Sequence, residues 1–340
     1  MKGYQGMINT NGEFTGEIAK PVRAGETARE TEKGNYADGA NIATIPKGFT
    51  VSATENTIST GLVVIAPDTA RSEFVWVPVD SNLRAAGVEG KEMAVKTSGT
   101  DANGRDNYQG KLYNFTGTGE TTTSNLKTGY GQGRTSFREP SLVTGNDQDK
   151  SADVESVTGT DYDAKKDYYN TILGYNVNSG AIDFGKDMQK DYNAMIESVK
   201  RYGGFYIGRY ETSISGETVA STKGNADTRP MSAATGSGNT WYGMYKKQKE
   251  YASSNTNLSS VKSSMIWGCQ YDAMLNWALT GNDKAKVTAT GNAPHSGLSG
   301  TYQPGTQSND KINNIYDLEG NVREWTLEAL YTSTRVPRGR

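Results

Sequence analysis

The stretch NIYDLEGNVREWT, residues 314–326, is the most distinctive segment of this 340-residue sequence. It mixes apolar and charged residues around a Gly-Asn pair, and it follows a loop-like region over residues 281–311 that is rich in Gly, Asn, Thr and Ser. A second short motif, RVPRG, comes shortly after it at residues 335–339.

Upstream of these motifs, apolar patterns predict strands and helices. GLVVI at 61–65 and EFVWVPV at 73–79, separated by a short turn, predict a β-hairpin. The run GFYIGRYE at 204–211 predicts a further strand. Apolar residues at helical spacing predict three helices, at Asp187–Tyr202, about Thr240–Tyr251 and Gln270–Leu279. Because strands and helices do not alternate as βαβ units, the sequence indicates an α+β fold.

The rest of the chain is polar and rich in glycine, which accounts for 40 of the 340 residues. Residues 1–40 are expected to be poorly packed, and residues 1–55 to form an N-terminal arm or linker before a domain over 56–340. Residues 81–186 hold few large apolar residues and predict a long loop-rich insertion, with a separate small domain as the alternative. Five aromatic residues among apolar neighbours are predicted to lie in the core: Trp76, Tyr206, Trp267, Trp277 and Trp325.

Composition excludes several classes of protein. The net charge of −2 and the lack of a basic run argue against nucleic-acid binding. No stretch approaches 18 apolar residues, so no membrane span is expected, and residues 1–20 show no signal peptide. A single cysteine, Cys269, and a single histidine, His295, rule out a disulfide within the chain and a zinc site of the usual Cys/His kind.

Five segments, taken in order, resemble the formylglycine-generating-enzyme (sulfatase-modifying factor) family. Residues 314–326 are similar to its NVYDMxGNVWEWT motif, and residues 335–339 resemble the RVxRGG that follows. Residues 73–79 look like its opening strand, and residues 204–211 resemble its second signature. SMIWGCQYDA at 264–273 takes the position of its helix-initiating segment. The resemblance implies a C-type-lectin-like fold with short twisted antiparallel strands, two or three helices and extensive loops.

The resemblance also bears on catalysis, and there the sequence departs from the family. Formylglycine-generating enzymes oxidise a substrate cysteine with copper held by paired cysteines, which lie beyond the RGG motif. This sequence stops at Arg340, before that pair and a final GFR motif, so the domain is expected to be truncated or differently built at its C-terminal end. Cys269 lies upstream and is predicted to be a packing residue, while His295, in a loop, cannot form a two-histidine iron site alone. We therefore predict no catalysis and no copper.

Binding is the preferred interpretation. Domains of this type occur in variable proteins of phages and gut bacteria, where a retroelement randomises adenines of Asn codons near the C-terminus. Tyr, Thr and Ser are each reachable from such a codon, and Tyr and Ser are favoured in recognition loops. The candidate ligand-binding residues are Tyr331, Thr332, Ser333, Thr334 and Arg338. We expect a protein or carbohydrate ligand and a location on a cell surface or phage particle. A structural surface or virion protein is the alternative.

The family's enzymes hold a structural Ca²⁺ within the motif at 314–326. Matched residue by residue, the resemblance implies that Asp317 and Glu324 supply side-chain oxygens, and that Gly320 and Val322 supply backbone carbonyls. Ca²⁺ prefers oxygen donors and takes six to eight of them. The alternative is that Asp317 caps a turn and Glu324 pairs with an arginine, Arg323 or Arg335.

Overall fold

The described part of the computed structural model is α+β, with a few antiparallel strands, three α-helices and loops. The structure describes residues 20–28, 34–79, 94–100, 106–110, 184–215, 218–224, 229–230, 241–280, 303–308, 311–318, 324–331 and 334–338.

The elements are numbered in chain order. The strands are β1 (Lys20–Pro21), β2 (Gly34–Asp38), β3 (Asn41–Ile45), β4 (Thr50–Val51), β5 (Val63–Ile65), β6 (Glu73–Pro78), β7 (Ala94–Thr100), β8 (Asp106–Gly110), β9 (Gly204–Gly208), β10 (Ser213–Ser215), β11 (Thr218–Ala220), β12 (Arg229–Pro230), β13 (Glu324–Tyr331) and β14 (Thr334–Arg338). The helices are α1 (Phe184–Tyr202), α2 (Trp241–Ser253) and α3 (Gly268–Thr280), with short 3₁₀ turns at Ile58–Thr60 and Thr256–Leu258.

An antiparallel sheet in the order β4–β5–β6–β9 forms the centre of this part. The hairpin predicted at residues 61–79 is confirmed, with Val64 opposite Phe74 in β5 and β6. The strand predicted at 204–211 is β9, and it pairs with β6 so that Tyr206 lies opposite Trp76. β-Branched and aromatic residues dominate these strands because they pack well on a pleated surface.

The central sheet is buried on both faces. Since side chains alternate along a strand, Val75 and Val77 of β6 join one apolar cluster, which also takes in residues of α1 and α3. Trp76, between them, joins a second cluster on the opposite face together with Val64 and Ile45. Two-sided burial explains why β6 is a continuous apolar run rather than an alternating one.

The three helices lie where they were predicted, to within a few residues at each end. In α1 the buried residues recur every three or four positions: Met188, Tyr192, Ile196 and Val199. The helix ends at Gly203, which has φ 82° and donates its N–H to the carbonyl of Val199 at 2.8 Å. Among the described residues, no helix is both long enough and apolar enough to cross a bilayer.

The N-terminal residues pack more tightly than predicted. Strands β1, β2 and β3 form a sheet, and Ala43 and Ile45 are fully buried against the same cluster as Trp76. The expectation that residues 1–40 are poorly packed is therefore wrong for the described part of that range, where Val22 and Ala28 are buried and β2 pairs with β1 and β3. The apolar residues of these strands are few, but the alternation along β3 puts Ala43 and Ile45 on one face. The domain boundary itself, at residue 55, stays a prediction.

The predicted insertion at residues 81–186 lies largely outside the described residues. Within it, β7 and β8 pair as an antiparallel hairpin, and its last residues begin α1. Three of the predicted core aromatics, Trp76, Trp267 and Trp277, are buried. Tyr206 and Trp325 are partly buried and pack against the two clusters.

Candidate functional site

The segment at 311–318 makes a tight turn that is packed under the central sheet. Ile312 and Ile315 exchange two backbone hydrogen bonds, at 2.7 and 2.8 Å, across Asn313 and Asn314. Both asparagines have positive φ, 45° and 65°, as a type I′ turn requires, and Asn tolerates this conformation better than most residues. The Asn314 side-chain amide donates to the carbonyl of Gly61 at 2.7 Å, which ties the turn to the end of the first 3₁₀ turn.

Asp317, the first predicted calcium ligand, is fully buried and has φ 58°. One of its carboxylate oxygens accepts the backbone N–H of Gly305. Gly305 itself lies against the ring of Tyr210, where a Cβ atom would collide with the ring. Asp317 therefore braces the loop at 303–308, which is a longer-range contact than the turn cap considered from the sequence.

Two of the four predicted calcium donors, Gly320 and Val322, lie outside the described residues. Glu324 begins β13, and its register partner in β14 is Arg338, whereas Arg335 faces Ala329. Of the arginines considered as partners of Glu324, Arg335 is thus not opposite it, and Arg323 is not described. Within the described ranges, no group of three or more His, Cys, Asp or Glu side chains could hold a metal ion. The predicted calcium site has only two carboxylates, so this absence does not bear on it.

The candidate ligand-binding residues lie on a C-terminal β-hairpin, β13–β14. Tyr331 and Thr334 are register partners at its end, and the register shifts twice along the hairpin, which indicates β-bulges. Thr332 and Ser333, which connect the two strands, lie outside the described residues. The structure brings Tyr331 and Thr334 together but places Arg338 at the opposite end of the hairpin, beside Glu324.

The base of this hairpin is anchored in the core. Leu327 and Thr326 are fully buried, and Trp325 packs against the first cluster. The backbone N–H of Leu327 donates to the carbonyl of Ile266 at 3.0 Å, just before α3. Burial on both sides of the strand at its base gives the far end of the hairpin a fixed support.

A buried arginine, not predicted as a site from the sequence, joins several of these elements. Arg209 has a side chain only 7% exposed, and its guanidinium donates to Glu73 at 2.6 Å and to Glu55 at 2.9 Å. The guanidinium carbon is 5.5 Å from the ring centroids of Tyr210 and Tyr316, within cation–π range. The two rings stack on each other with centroids 5.1 Å apart.

The Glu55 carboxylate beside Arg209 is held in its charged form. Partial burial acts to raise the pKa of Glu55, but hydrogen bonds from Thr54, Arg209 and Ser52 and the arginine charge outweigh it and lower this pKa to about 2. A sequence signal for the cluster existed: antiparallel pairing of the strands at 73–79 and 204–211 brings Glu73, at the start of one, beside Arg209, at the end of the other.

Cys269 lies in the core, at the start of α3. It has no exposed surface, and its sulfur is 3.4 Å from the hydroxyl of Tyr192. The buried position supports the packing role predicted for it, because a thiol without exposed surface is inaccessible to an external substrate. His295 lies outside the described residues.

No known protein family, no curated protein and no solved structure matches this chain. Indications of function therefore come from the chain's own residues. They provide a hairpin anchored in the core, a turn held on the sheet by Asn314 and Arg209, and a buried carboxylate at Asp317.

Proposed function

We propose that this protein is a non-catalytic ligand-binding protein of C-type-lectin-like fold, which uses the far end of the β13–β14 hairpin for recognition. The observation that carries the proposal is the construction of that hairpin. Its base is buried at Thr326 and Leu327, and its far end joins Tyr331 and Thr334 in register. A rigid scaffold that presents variable residues at the end of a hairpin is a common arrangement for binding.

The residue types at the far end suit recognition. Tyrosine supplies a large contact area at a low cost in conformational entropy, and serine and threonine hydroxyls both donate and accept hydrogen bonds. The four positions from Tyr331 to Thr334 carry no charge, so binding there would depend on shape and hydrogen bonding rather than on electrostatic attraction. This chemistry suits a protein or carbohydrate ligand.

The resemblance to the formylglycine-generating-enzyme family extends the proposal. It suggests a variable protein, diversified by a retroelement at its C-terminal end and displayed on a cell surface or phage particle. Under this proposal, near-identical copies of the protein differ mainly at and beyond residue 331. A structural surface or virion protein would instead vary evenly over its loops.

A display library tests the binding function directly. We expect that randomising the far end of the hairpin leaves the protein folded and yields binders to hen lysozyme, used as a probe protein. The library varies Tyr331, Thr332, Ser333 and Thr334. The matched control library varies four exposed positions on α1, namely Lys190, Glu197, Ser198 and Arg201.

Surface substitutions usually change stability by no more than about 0.5 kcal/mol, so most clones of the α1 library should display well. The proposal expects the hairpin library to display equally well. Enrichment of lysozyme binders from the hairpin library alone is the expected result. Loss of display across that library, or equal enrichment from both libraries, would contradict the proposal.

We also propose that Asp317 and Glu324 take part in a structural calcium site with the carbonyls of Gly320 and Val322. All four donors are oxygens, which fits Ca²⁺, and a buried carboxylate such as Asp317 gains from a nearby cation. When bound, the ion would link the loop at 311–318 to the start of β13 and neutralise two carboxylates.

Removal of calcium is the test. We expect millimolar CaCl₂ to raise the melting temperature relative to excess EDTA, because a ligand at a hundred times its Kd stabilises the folded state by about 2.7 kcal/mol. The control is Asp317→Asn, which keeps an oxygen that can accept the Gly305 N–H but removes the charge, and it should show a smaller response. Equal melting temperatures in CaCl₂ and EDTA, for a folded sample, would remove calcium from the proposal.

A further inference from the structure

Arg209 is placed where three parts of the structure meet. Its carboxylate partners come from the central sheet and its margin, since Glu73 begins β6 and Glu55 lies between β4 and the first 3₁₀ turn. Its own backbone follows β9 and hydrogen-bonds to β6, through its N–H to the carbonyl of Glu73 at 2.9 Å. Arg209 is thus fixed to the sheet through both its side chain and its backbone.

The third part is the segment at 311–318. The backbone N–H of Tyr316 donates to the carbonyl of Arg209 at 2.8 Å, and the Tyr316 ring lies against the guanidinium. Tyr316 also stacks on Tyr210, the residue that follows Arg209. Only residues 319–323 separate this segment from Glu324, the first residue of the binding hairpin.

We infer that Arg209 is a positioning residue for the binding hairpin: it fixes the segment at 311–318 on the central sheet and thereby sets where β13 begins. The second support of the hairpin is the bond from Leu327 to Ile266, on the side of α3. The base of the hairpin is thus held on one side by the central sheet, through Arg209, and on the other side next to α3, through Ile266. The inference deepens the proposed function and rests on it.

The geometry requires an arginine rather than a general cation. Two nitrogens of one guanidinium reach two different carboxylates, while the planar group lies near two aromatic rings. A lysine has a single ammonium group, and its compact charge cannot reproduce that fork or the stacking. Arg209→Lys therefore keeps a positive charge between Glu55 and Glu73, and it keeps the backbone bond from Tyr316, but it loses the contact between the guanidinium and the Tyr316 ring.

Amide hydrogen exchange in the full chain measures the positioning without reference to any ligand. For Arg209→Lys we expect exchange at the Tyr316 amide to become about tenfold faster, because the segment at 311–318 should open more often. Exchange at Leu327 should become faster as well. Such local openings occur without global unfolding, so amide exchange detects them separately. The amide of Trp76, which donates to Leu62 within the sheet region, should keep its rate.

Two further variants complete the comparison. Glu73→Gln, which weakens one arm of the cluster, should shift exchange in the same direction by a smaller factor. Lys249→Met is the control, because Lys249 joins α2 to Asp191 of α1 through an ion pair of its own. It should leave the Tyr316 amide unchanged.

Combining the exchange measurement with the lysozyme binders separates the two ideas. Placed in a selected binder, Arg209→Lys should weaken lysozyme binding about tenfold, whereas Lys249→Met should not. An unchanged Tyr316 exchange rate, or equal acceleration at Tyr316 and Trp76, would overturn the positioning role even if lysozyme binders are found. If the hairpin library yields no binders, the proposed function fails, while local deprotection at Tyr316 would still establish what Arg209 holds in place.

Discussion

Replacing Trp76 by alanine is expected to lower the free energy of unfolding by about 3–5 kcal/mol, the range for emptying a large buried aromatic site. The Trp76 side chain is 2% exposed and lies in the middle of β6. Its ring packs on Tyr206 with centroids 5.0 Å apart and belongs to the cluster that holds the N-terminal strands on the sheet. Alanine would therefore leave a cavity between the central sheet and the N-terminal strands, and the packing between them would be lost.

Chemical denaturation followed by circular dichroism measures this loss. Trp76→Phe is the informative control, because the indole N–H of Trp76 is buried and has no hydrogen-bond partner. Phenylalanine removes that unsatisfied donor while it refills most of the space, so it should cost much less than alanine. Ile42→Ala, at a side chain that is 51% exposed, should change stability by no more than about 0.5 kcal/mol. A loss below about 1 kcal/mol for Trp76→Ala would show that the second cluster contributes little to stability.

The central elements were predictable because their residue patterns are local. The hairpin of β5 and β6 follows from two apolar runs around a short turn, and α1 follows from helical spacing that continues to Gly203. In both cases one continuous segment carries the whole signal. The same holds for Trp267, whose burial follows from its apolar surroundings just before α3.

The N-terminal sheet was not predicted because its stability comes from distant residues. β2 and β3 are short and contain small residues such as Ala43, which give a weak signal in the sequence. Their burial depends on Trp76 and Val64, which lie on another sheet. Tertiary packing overrides a weak local pattern in such cases.

The C-terminal hairpin was not predicted from the sequence, for a different reason. Residues 331–334 were predicted to bind a ligand, on residue types that recognition loops favour, but no strand was predicted there; Tyr331 and Thr334 belong to strands and pair with each other. Tyrosine and threonine favour strands, so propensity alone indicated this outcome. The register between β13 and β14 shifts at two places, and no local pattern in the sequence specifies these shifts.

The turn at Asn313 and Asn314 was also not predicted from the sequence. Its contact with Gly61 leads to the second large effect on stability. Gly61 has φ 104°, and a Cβ atom at this position would collide with the backbone carbonyl group of Asn313. The distance from that Cβ atom to the carbonyl carbon would be 2.7 Å. Backbone atoms cannot move aside as the end of a flexible side chain can. The close approach of Gly61 is also what allows its carbonyl to accept the Asn314 side chain at 2.7 Å.

Gly61→Ala is therefore expected to destabilise the protein by about 3 kcal/mol or more, because left-handed strain of about 1–2 kcal/mol adds to the cost of displacing the turn. The matched control is Gly39→Ala, since Gly39 also has positive φ, 60°, but a Cβ atom there meets nothing within 4 Å. That variant should show the conformational cost alone, about 1–2 kcal/mol. The difference between the two midpoints of denaturation isolates the collision with Asn313. If both variants lost the same stability, the turn at 311–318 would not rest on Gly61, and the support that it gives to the start of β13 would have to come from Arg209 and Ile266 alone.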